Sequence, residues 1–216
     1  MKLRRFILVA VLMLSLAACN PQSPSGGMEY TTAFEHDIPV GQAIPGTDIK
    51  YLGKTDQGAQ VSIGGQVALK RVFDSLSWHS EPATGVKIDY NLRVISYDAN
   101  SLKAGGTAQV VIGDATPKAV SASSLPKNAL TFKGAAAYVV AKGKTIPGTT
   151  ITYNGKTSDG AQLGGIEGYP FRQEADSIAW TGQLADKVFL QLDLRVVLFT
   201  DNLLQVTGTT TLYLTP

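Results

Sequence analysis

Hydrophobic and polar residues alternate along two matching segments of the chain. Apolar side chains occupy every even position of residues 86–94 and of residues 188–196. An extended chain places successive side chains on opposite faces, so a period of two predicts a β-strand with one buried face in each segment. Residues 102–112 and 204–214 show the same pattern at most even positions, which predicts one further strand in each half.

The remaining segments alternate short apolar runs with turn residues. Gly, Asp and Lys separate these runs about every 8–12 residues, and helical periodicity is absent beyond the first 18 residues. The pattern predicts an all-β fold, and we expect two tandem antiparallel β-sandwich or small-barrel domains. The alternative is one pseudo-twofold barrel or sandwich that is assembled from both halves of the chain.

The two halves of the chain repeat each other at an offset of 102 residues. About a third of the positions are identical between residues 44–112 and 146–214, and the alignment needs no gap. The clearest matches are Ile44-Pro45-Gly46-Thr47 with Ile146-Pro147-Gly148-Thr149, Gly58-Ala59-Gln60 with Gly160-Ala161-Gln162, and Leu92-Arg93-Val94 with Leu194-Arg195-Val196. This self-similarity indicates an internal duplication of one structural unit. We place the first repeat at residues 30–113, a linker at 114–129 and the second repeat at 130–216.

The first 18 residues form a different kind of segment. Lys2, Arg4 and Arg5 precede an apolar stretch at residues 6–14, and Leu16-Ala17-Ala18-Cys19 follows it. These last four residues resemble a lipobox, and the whole segment is similar to the signal peptide of bacterial lipoproteins. The apolar stretch is shorter than the roughly 20 residues that a transmembrane helix needs. The resemblance implies cleavage after residue 18 and lipid attachment at Cys19.

The residues that follow Cys19 bear on the location of the protein. In bacterial lipoproteins an Asp at the next position typically retains the protein at the inner membrane, and this chain has Asn20 instead. The resemblance therefore implies a protein of the cell envelope that is anchored to a membrane by lipid, in the outer membrane if the source is a diderm bacterium. Residues 19–29 are rich in Pro, Ser and Gly and predict a flexible tether.

Charge and cysteine content narrow the classes of ligand. The chain has 19 Lys and Arg against 17 Asp and Glu, and removal of the three basic leader residues leaves 16 against 17. A nearly neutral mature chain lacks the basic surface of a nucleic-acid-binding protein. Cys19 is the only cysteine, so its lipidation leaves no thiol for a disulfide, a metal site or a nucleophile. We expect neither a metal nor a cofactor.

Two charged residues recur in both repeats. Asp74 and Arg93 are matched by Asp176 and Arg195. Each Asp–Arg combination predicts a bidentate, charge-assisted contact at the edge of the core. We interpret these residues as structural, because both repeats keep them while the surrounding loops differ. A ligand site is the alternative.

The two tryptophans also occupy equivalent positions. Trp78 recurs as Trp180, and in each repeat the indole shares one strand face with an apolar neighbour two residues earlier. We predict that both are core residues. Two exposed indoles would instead stack on sugar rings, which is the basis of a carbohydrate-binding alternative.

Catalysis has little support in the sequence. His36 and His79 have no histidine counterpart in the second repeat and belong to no metal-binding spacing. The Gly-Lys-Thr at residues 53–55 lacks the upstream glycine and the strand-to-helix setting of a phosphate loop. We therefore predict no catalytic residue and a protein that is not an enzyme.

The repeats differ most at residues 63–72 and 165–174. The second of these segments contains Tyr169, Phe171 and Arg172, which are residue types that dominate the energetics of protein interfaces. Loops that diverge on a shared scaffold are where a specific binding surface is expected. We therefore select these three residues as the candidate partner-binding surface.

Together these features predict a lipid-anchored envelope protein that binds a partner or supports envelope structure without catalysing a reaction. The partner is either another envelope protein or a polysaccharide. Two alternatives remain. One is an envelope hydrolase or carbohydrate-processing enzyme with an unrecognised site, and the other is a carrier of a hydrophobic ligand.

Overall fold

Strands make up most of residues 27–215, the part of the chain that the computed structural model describes. The strands are β1 (Met28–Pro39), β2 (Ile49–Thr55), β3 (Gly58–Ile63), β4 (Gln66–Lys70), β5 (Ser75–Ala83), β6 (Val86–Tyr97), β7 (Ser101–Ile112), β8 (Lys118–Ala119), β9 (Leu130–Ala141), β10 (Thr152–Thr157), β11 (Gly160–Gly164), β12 (Phe171–Arg172), β13 (Ser177–Ala185), β14 (Val188–Phe199) and β15 (Leu203–Leu214). One turn of 3-10 helix, Ala122–Ser124, is the single helix among the described residues. The predicted all-β class is confirmed. The leader and the predicted lipid attachment at Cys19 lie outside the described residues.

The strands form four antiparallel sheets. The large sheets have the orders β1-β7-β6-β5 and β9-β15-β14-β13-β8, and the small sheets have the orders β2-β3-β4 and β10-β11-β12. Each of these sheets is open, so neither unit forms the small barrel that was one of the two predicted architectures. Within the described part of the chain, strands of residues 28–112 (the first unit) pair only with one another, and so do strands of residues 118–214 (the second unit). The predicted repeat and linker boundaries stay a prediction.

The two units share one topology. The bounds of β1, β5, β6 and β7 recur in β9, β13, β14 and β15 at the same offset of 102 residues. One irregularity of the long strands also matches, because the register shifts between Val94 and Ser96 against β7 and between Val196 and Leu198 against β15. A bulge at the same place in both units bends the equivalent strands alike.

Alternation determines which face of each long strand is buried. On β6, the even-numbered apolar residues of 86–94 are at most 2% exposed, while the odd-numbered residues face solvent. The even-numbered apolar residues of 188–196 on β14 are equally buried. Burial of apolar surface contributes about 25 cal/mol per Å², so a slip of one residue would expose the whole apolar set.

The units pack against each other where β1 meets β9. The rings of Phe34 and Tyr90 from the first unit lie 6.1 and 6.2 Å from the ring of Phe132 in the second. These distances are typical of tilted aromatic pairs. The buried residues of both units therefore belong to one continuous core.

The repeated Pro-Gly turns also contribute to this junction. Gly46 and Gly148 have positive φ angles of 78° and 77°, which glycine adopts without a steric penalty. A Cβ on Gly46 would lie 2.8 Å from Cδ2 of Leu130, and a Cβ on Gly148 would lie 2.9 Å from Cε of Met28. Met28 and Leu130 are equivalent residues, so each unit packs its turn against the first strand of the other in the same way.

Candidate interaction surface

The repeated Asp and Arg side chains hold a turn rather than each other. In the first unit, the Asp74 carboxylate accepts the N–H of Arg71 at 2.7 Å, and the Arg93 guanidinium donates to the carbonyl of Phe73 at 3.1 Å. Phe73 has a positive φ of 72°, which is unfavourable for a residue with a side chain. Both polar contacts therefore stabilise a strained turn before β5.

The second unit repeats this arrangement. Asp176 accepts the N–H of Gln173 at 2.7 Å, and Arg195 donates to the carbonyl of Ala175 at 3.0 Å. The predicted Asp–Arg ion pair is wrong for both units, because the ion pairs among residues 27–215 do not include these residues. Backbone groups of the turn lie closer to each side chain, and the arginines remain exposed.

The two tryptophans differ in burial. Trp180 is only 6% exposed, and its Nε1–H donates to Oγ1 of Thr150 at 3.1 Å. Trp78 is half-buried, and a Cβ on Gly64 would lie 3.7 Å from its ring. A sugar ring stacks on an exposed indole face, which Trp180 does not offer. The pair of exposed indoles that the carbohydrate alternative required is therefore not present.

The divergent segments become edge strands at equivalent positions of the small sheets. β4 pairs with β3, and the shorter β12 pairs with β11. Val67 on β4 is 60% exposed, and its equivalent Tyr169, two residues before β12, is 66% exposed. Leu69 is also exposed, and its equivalent Phe171 is half-buried. Each unit thus presents two apolar side chains from the same place.

Tyr169 and Phe171 form a compact surface, which we name the aromatic edge. Their ring centroids are 5.4 Å apart at an interplanar angle of 61°, an edge-to-face arrangement. A groove of about 440 Å³ lies beside them and is also lined by Asp159, Gln173 and Asp176. The aromatic edge therefore combines exposed apolar area with nearby carboxylate and amide groups.

Arg172 holds the aromatic edge in place. Its Nη1 donates to the carbonyls of Tyr169 and Phe171, the latter at 2.8 Å, and its Nε donates to the carbonyl of Ser177 at 3.0 Å. These bonds join the loop to the start of β13, and their acceptors are all backbone carbonyls. Arg172 therefore positions the two rings, and its predicted contact with a partner stays a prediction.

The first unit has a more aliphatic counterpart, which we name the aliphatic edge. It consists of Val67, Leu69, Val72 and Phe73, and Phe73 is 73% exposed. Sequence reasoning did not select these residues, although Val67 and Leu69 align with Tyr169 and Phe171. The alignment of the two halves could have pointed to Val67 and Leu69, but it does not show that their side chains are exposed.

The histidines lie apart from both edges. His79 Nδ1 is 2.7 Å from the Asp89 carboxylate on the solvent face of the first large sheet, and both side chains are more than half exposed. His36 stacks near Phe34 at 6.2 Å and lines a groove of about 660 Å³ between the units. Among residues 27–215 no group of three or more His, Cys, Asp or Glu could hold a metal ion.

One carboxylate has a shifted pKa with a clear cause. Oδ1 of Asp98 accepts the backbone N–H groups of Asn100 at 2.7 Å and Ser101 at 2.9 Å, and these bonds lower the pKa of Asp98. Its equivalent, Thr200, accepts two N–H groups in the matching turn without carrying a charge. Asp98 is therefore a feature of the β6–β7 turn rather than of a reaction site.

Comparison with protein-family models, with curated proteins and with solved structures gives no match for this chain. No helix within residues 27–215 is long and apolar enough to cross a membrane.

Proposed function

We propose that this chain is a lipid-anchored protein of the cell envelope that binds a partner protein through the aromatic edge and catalyses no reaction. The anchor is the lipid expected on Cys19. The contact is made by Tyr169 and Phe171, with Arg172 holding their loop.

One observation carries the proposal. Tyr169 is 66% exposed, yet its loop is fixed by three hydrogen bonds from Arg172. Large exposed apolar side chains that are already ordered lose little conformational freedom when a partner binds, which is a property of interface hot spots. A protein partner is favoured over a polysaccharide because Trp180 is buried.

The anchor is supported by the leader and by the length of the segment that follows it. Eight residues separate Cys19 from Met28, where β1 begins. At about 3.4 Å per extended residue they span at most about 27 Å. The two units would stand close to the membrane surface, so a partner in the same membrane or in the adjacent wall is within reach.

The test is site-specific photo-crosslinking in intact cells. A photoreactive phenylalanine analogue replaces Tyr169 in one version of the full-length protein and Val139 in a matched control. Val139 lies on the same unit and is 69% exposed, so the two positions differ in location rather than in accessibility. We expect one discrete protein adduct from position 169 and none from position 139.

A second pair of variants checks that the adduct depends on the aromatic edge. With the photoreactive residue at 169, Phe171→Ala should reduce the yield of the adduct, whereas Val139→Ala should leave it unchanged. Equal adducts from positions 169 and 139 would refute the proposed surface. Retention on purified cell-wall polysaccharide without a protein adduct would refute the protein partner.

A further inference from the structure

The edge strands β5 and β13 occupy equivalent places, but only one of them is covered in the part of the chain that is described. β8 pairs with β13, placing Lys118 opposite Gln183. Two flanking bonds extend this contact, from the N–H of Val120 to the carbonyl of Thr181 at 3.0 Å and from the N–H of Thr116 to that of Leu184 at 2.8 Å. The segment between the units therefore serves as a fifth strand of the second large sheet.

The first large sheet ends at β5 instead. No strand within residues 27–215 pairs with the outer side of β5. Its residues His79 and Pro82 are equivalent to Thr181 and Leu184, whose carbonyls accept the bonds in the second unit. Pro82 has no N–H to donate to an added strand. In the second unit, however, the bond at the equivalent Leu184 uses only its carbonyl, and Pro82 has a carbonyl that can accept the same bond. An open edge of this kind is a template for strand addition.

A groove continues the open edge. Pro82 lines the groove of about 660 Å³ between the units, together with Phe34, Pro45 and Leu130. In the second unit the equivalent of Pro82 is Leu184, which is fully buried, and Ala115 of the covering segment packs against the same core. The groove therefore lies where a covering segment would place a small apolar side chain.

The charge of Glu81 on β5 indicates which residue types a segment that covers this edge would contain. Lys118 stands opposite Gln183 in the second unit. By the offset of 102 residues the equivalent of Gln183 is Glu81, which lies within the register shift of β5 that follows Ser80. A basic residue at the corresponding position of an added strand would face a carboxylate instead of an amide. Opposite charges on neighbouring strands stabilise their pairing.

We propose that β5 receives an extended segment of a partner protein, which pairs as an antiparallel fifth strand with a basic residue opposite Glu81 and a small apolar residue in the groove. The proposal rests on the proposed lipid anchor in one respect. Residues 16 and 17 are the equivalents of Lys118 and Ala119, and cleavage before Cys19 removes them from the mature chain. Within residues 27–215 no segment of the chain takes this position on β5.

The probe is a fluorescent peptide with the sequence of residues 114–122, Asp-Ala-Thr-Pro-Lys-Ala-Val-Ser-Ala. It is titrated into the mature lipidated protein in detergent, and fluorescence anisotropy reports binding. We expect saturable binding of one peptide per chain. Amide hydrogen exchange should slow at residues 77–83 of β5 when the peptide is bound.

Three variants test the mode of binding. Glu81→Lys should weaken binding about fivefold, because attraction to the peptide lysine becomes repulsion. A peptide that carries Glu in place of that lysine should recover the loss on this variant. Glu174→Lys, an exposed charge reversal on the second unit, should leave the affinity unchanged.

Ser80→Gly provides a test in the opposite direction. Ser80 is equivalent to Gly182, where a Cβ would lie 2.1 Å from the Trp180 ring and 2.7 Å from the carbonyl oxygen of Lys118. Removing the Ser80 side chain should therefore tighten binding, and its buried hydroxyl has no hydrogen-bond partner to lose.

Several outcomes would overturn the proposal. They are the absence of saturable binding, an affinity that Glu81→Lys does not change, and protection on β13 with release of β8. Protection of β5 by self-association without peptide would show that a second copy occupies the edge. Fatty-acid labelling at Cys19 and crosslinking at position 169 are separate readouts, so failure of the titration is distinguishable from failure of the proposed function.

Discussion

Thr32 and Gly134 are equivalent residues of the two units, and they meet where β1 packs against β9. A Cβ on Gly134 would lie 3.0 Å from Cγ2 of Thr32. Equivalent residues in direct contact indicate an approximate twofold axis between the units at this point. One of the two positions has to be small for the strands to approach this closely.

This contact predicts a stability change at Gly134. Gly134→Val should reduce the free energy of unfolding by about 1–3 kcal/mol, because the added side chain overpacks the junction. Ala135→Val, at the neighbouring exposed position of β9, is the control and should have little effect. Urea unfolding measures both. Thr32→Ala in the Gly134→Val background should restore part of the loss, and an unchanged double variant would contradict the proposed contact.

The turn before β5 gives a second prediction. Arg93→Ala should destabilise the protein by about 0.5–1.5 kcal/mol, since the exposed guanidinium contributes one hydrogen bond to the carbonyl of Phe73. Lys87→Ala, on the same exposed face of β6, should cost less. Thermal unfolding of the two variants makes the comparison. A larger loss for Lys87→Ala would show that Arg93 does not hold the turn.

Arg172 is predicted to position the aromatic edge. Arg172→Lys keeps the charge but replaces the planar guanidinium, whose Nε and Nη1 reach the carbonyls of Ser177 and of the loop, with a single nitrogen, so the loop should open more often. Amide exchange at Tyr169 and Phe171 should accelerate about tenfold, the change expected for losing about 1.4 kcal/mol of hydrogen bonding. The crosslink from position 169 should weaken while the melting temperature stays close to that of the wild type. Arg71→Lys in the first unit should change neither readout.

Asp98 predicts a pH dependence of stability. Its folded-state pKa is lowered, chiefly by the N–H of Asn100, so its contribution is present above the unfolded pKa of about 3.9. The contribution is lost as the pH falls through the lower folded value. Asp98→Thr copies the second unit, and its stability deficit relative to wild type should therefore shrink between pH 7 and pH 3. Denaturant unfolding at both pH values measures this deficit, and a deficit that grows in acid would contradict the assignment.

The lipid anchor is tested at Cys19. Cys19→Ser should abolish labelling by a fatty-acid probe and leave an unprocessed precursor of higher mass. Asn20→Asp should keep the label and, in a diderm host, move the protein to the inner membrane. Normal labelling of the Cys19→Ser variant would refute the anchor.

Local patterns predicted the strands well. The side-chain period of two depends only on backbone geometry, so the buried faces of β6 and β14 were readable from residues 86–94 and 188–196. The repeated Ile-Pro-Gly-Thr segments indicated two equivalent halves of the chain. The same offset aligns Val67 with Tyr169, but only Tyr169, Phe171 and Arg172 were selected from the sequence, because the exposure of Val67 depends on the folded chain.

The alternation of apolar and polar residues was enough to predict the all-β class and the inward faces of the long strands, and the offset of 102 residues predicted two equivalent halves. The partners of individual side chains and strand edges became known only from the tertiary structure. Asp74 and Arg93 bind the backbone of a turn, Arg172 binds three carbonyls, and β8 covers β13 while β5 stays open. Periodicity is a property of one strand, whereas hydrogen-bond partners and edge coverage depend on segments that are distant in sequence and approach only in the folded chain.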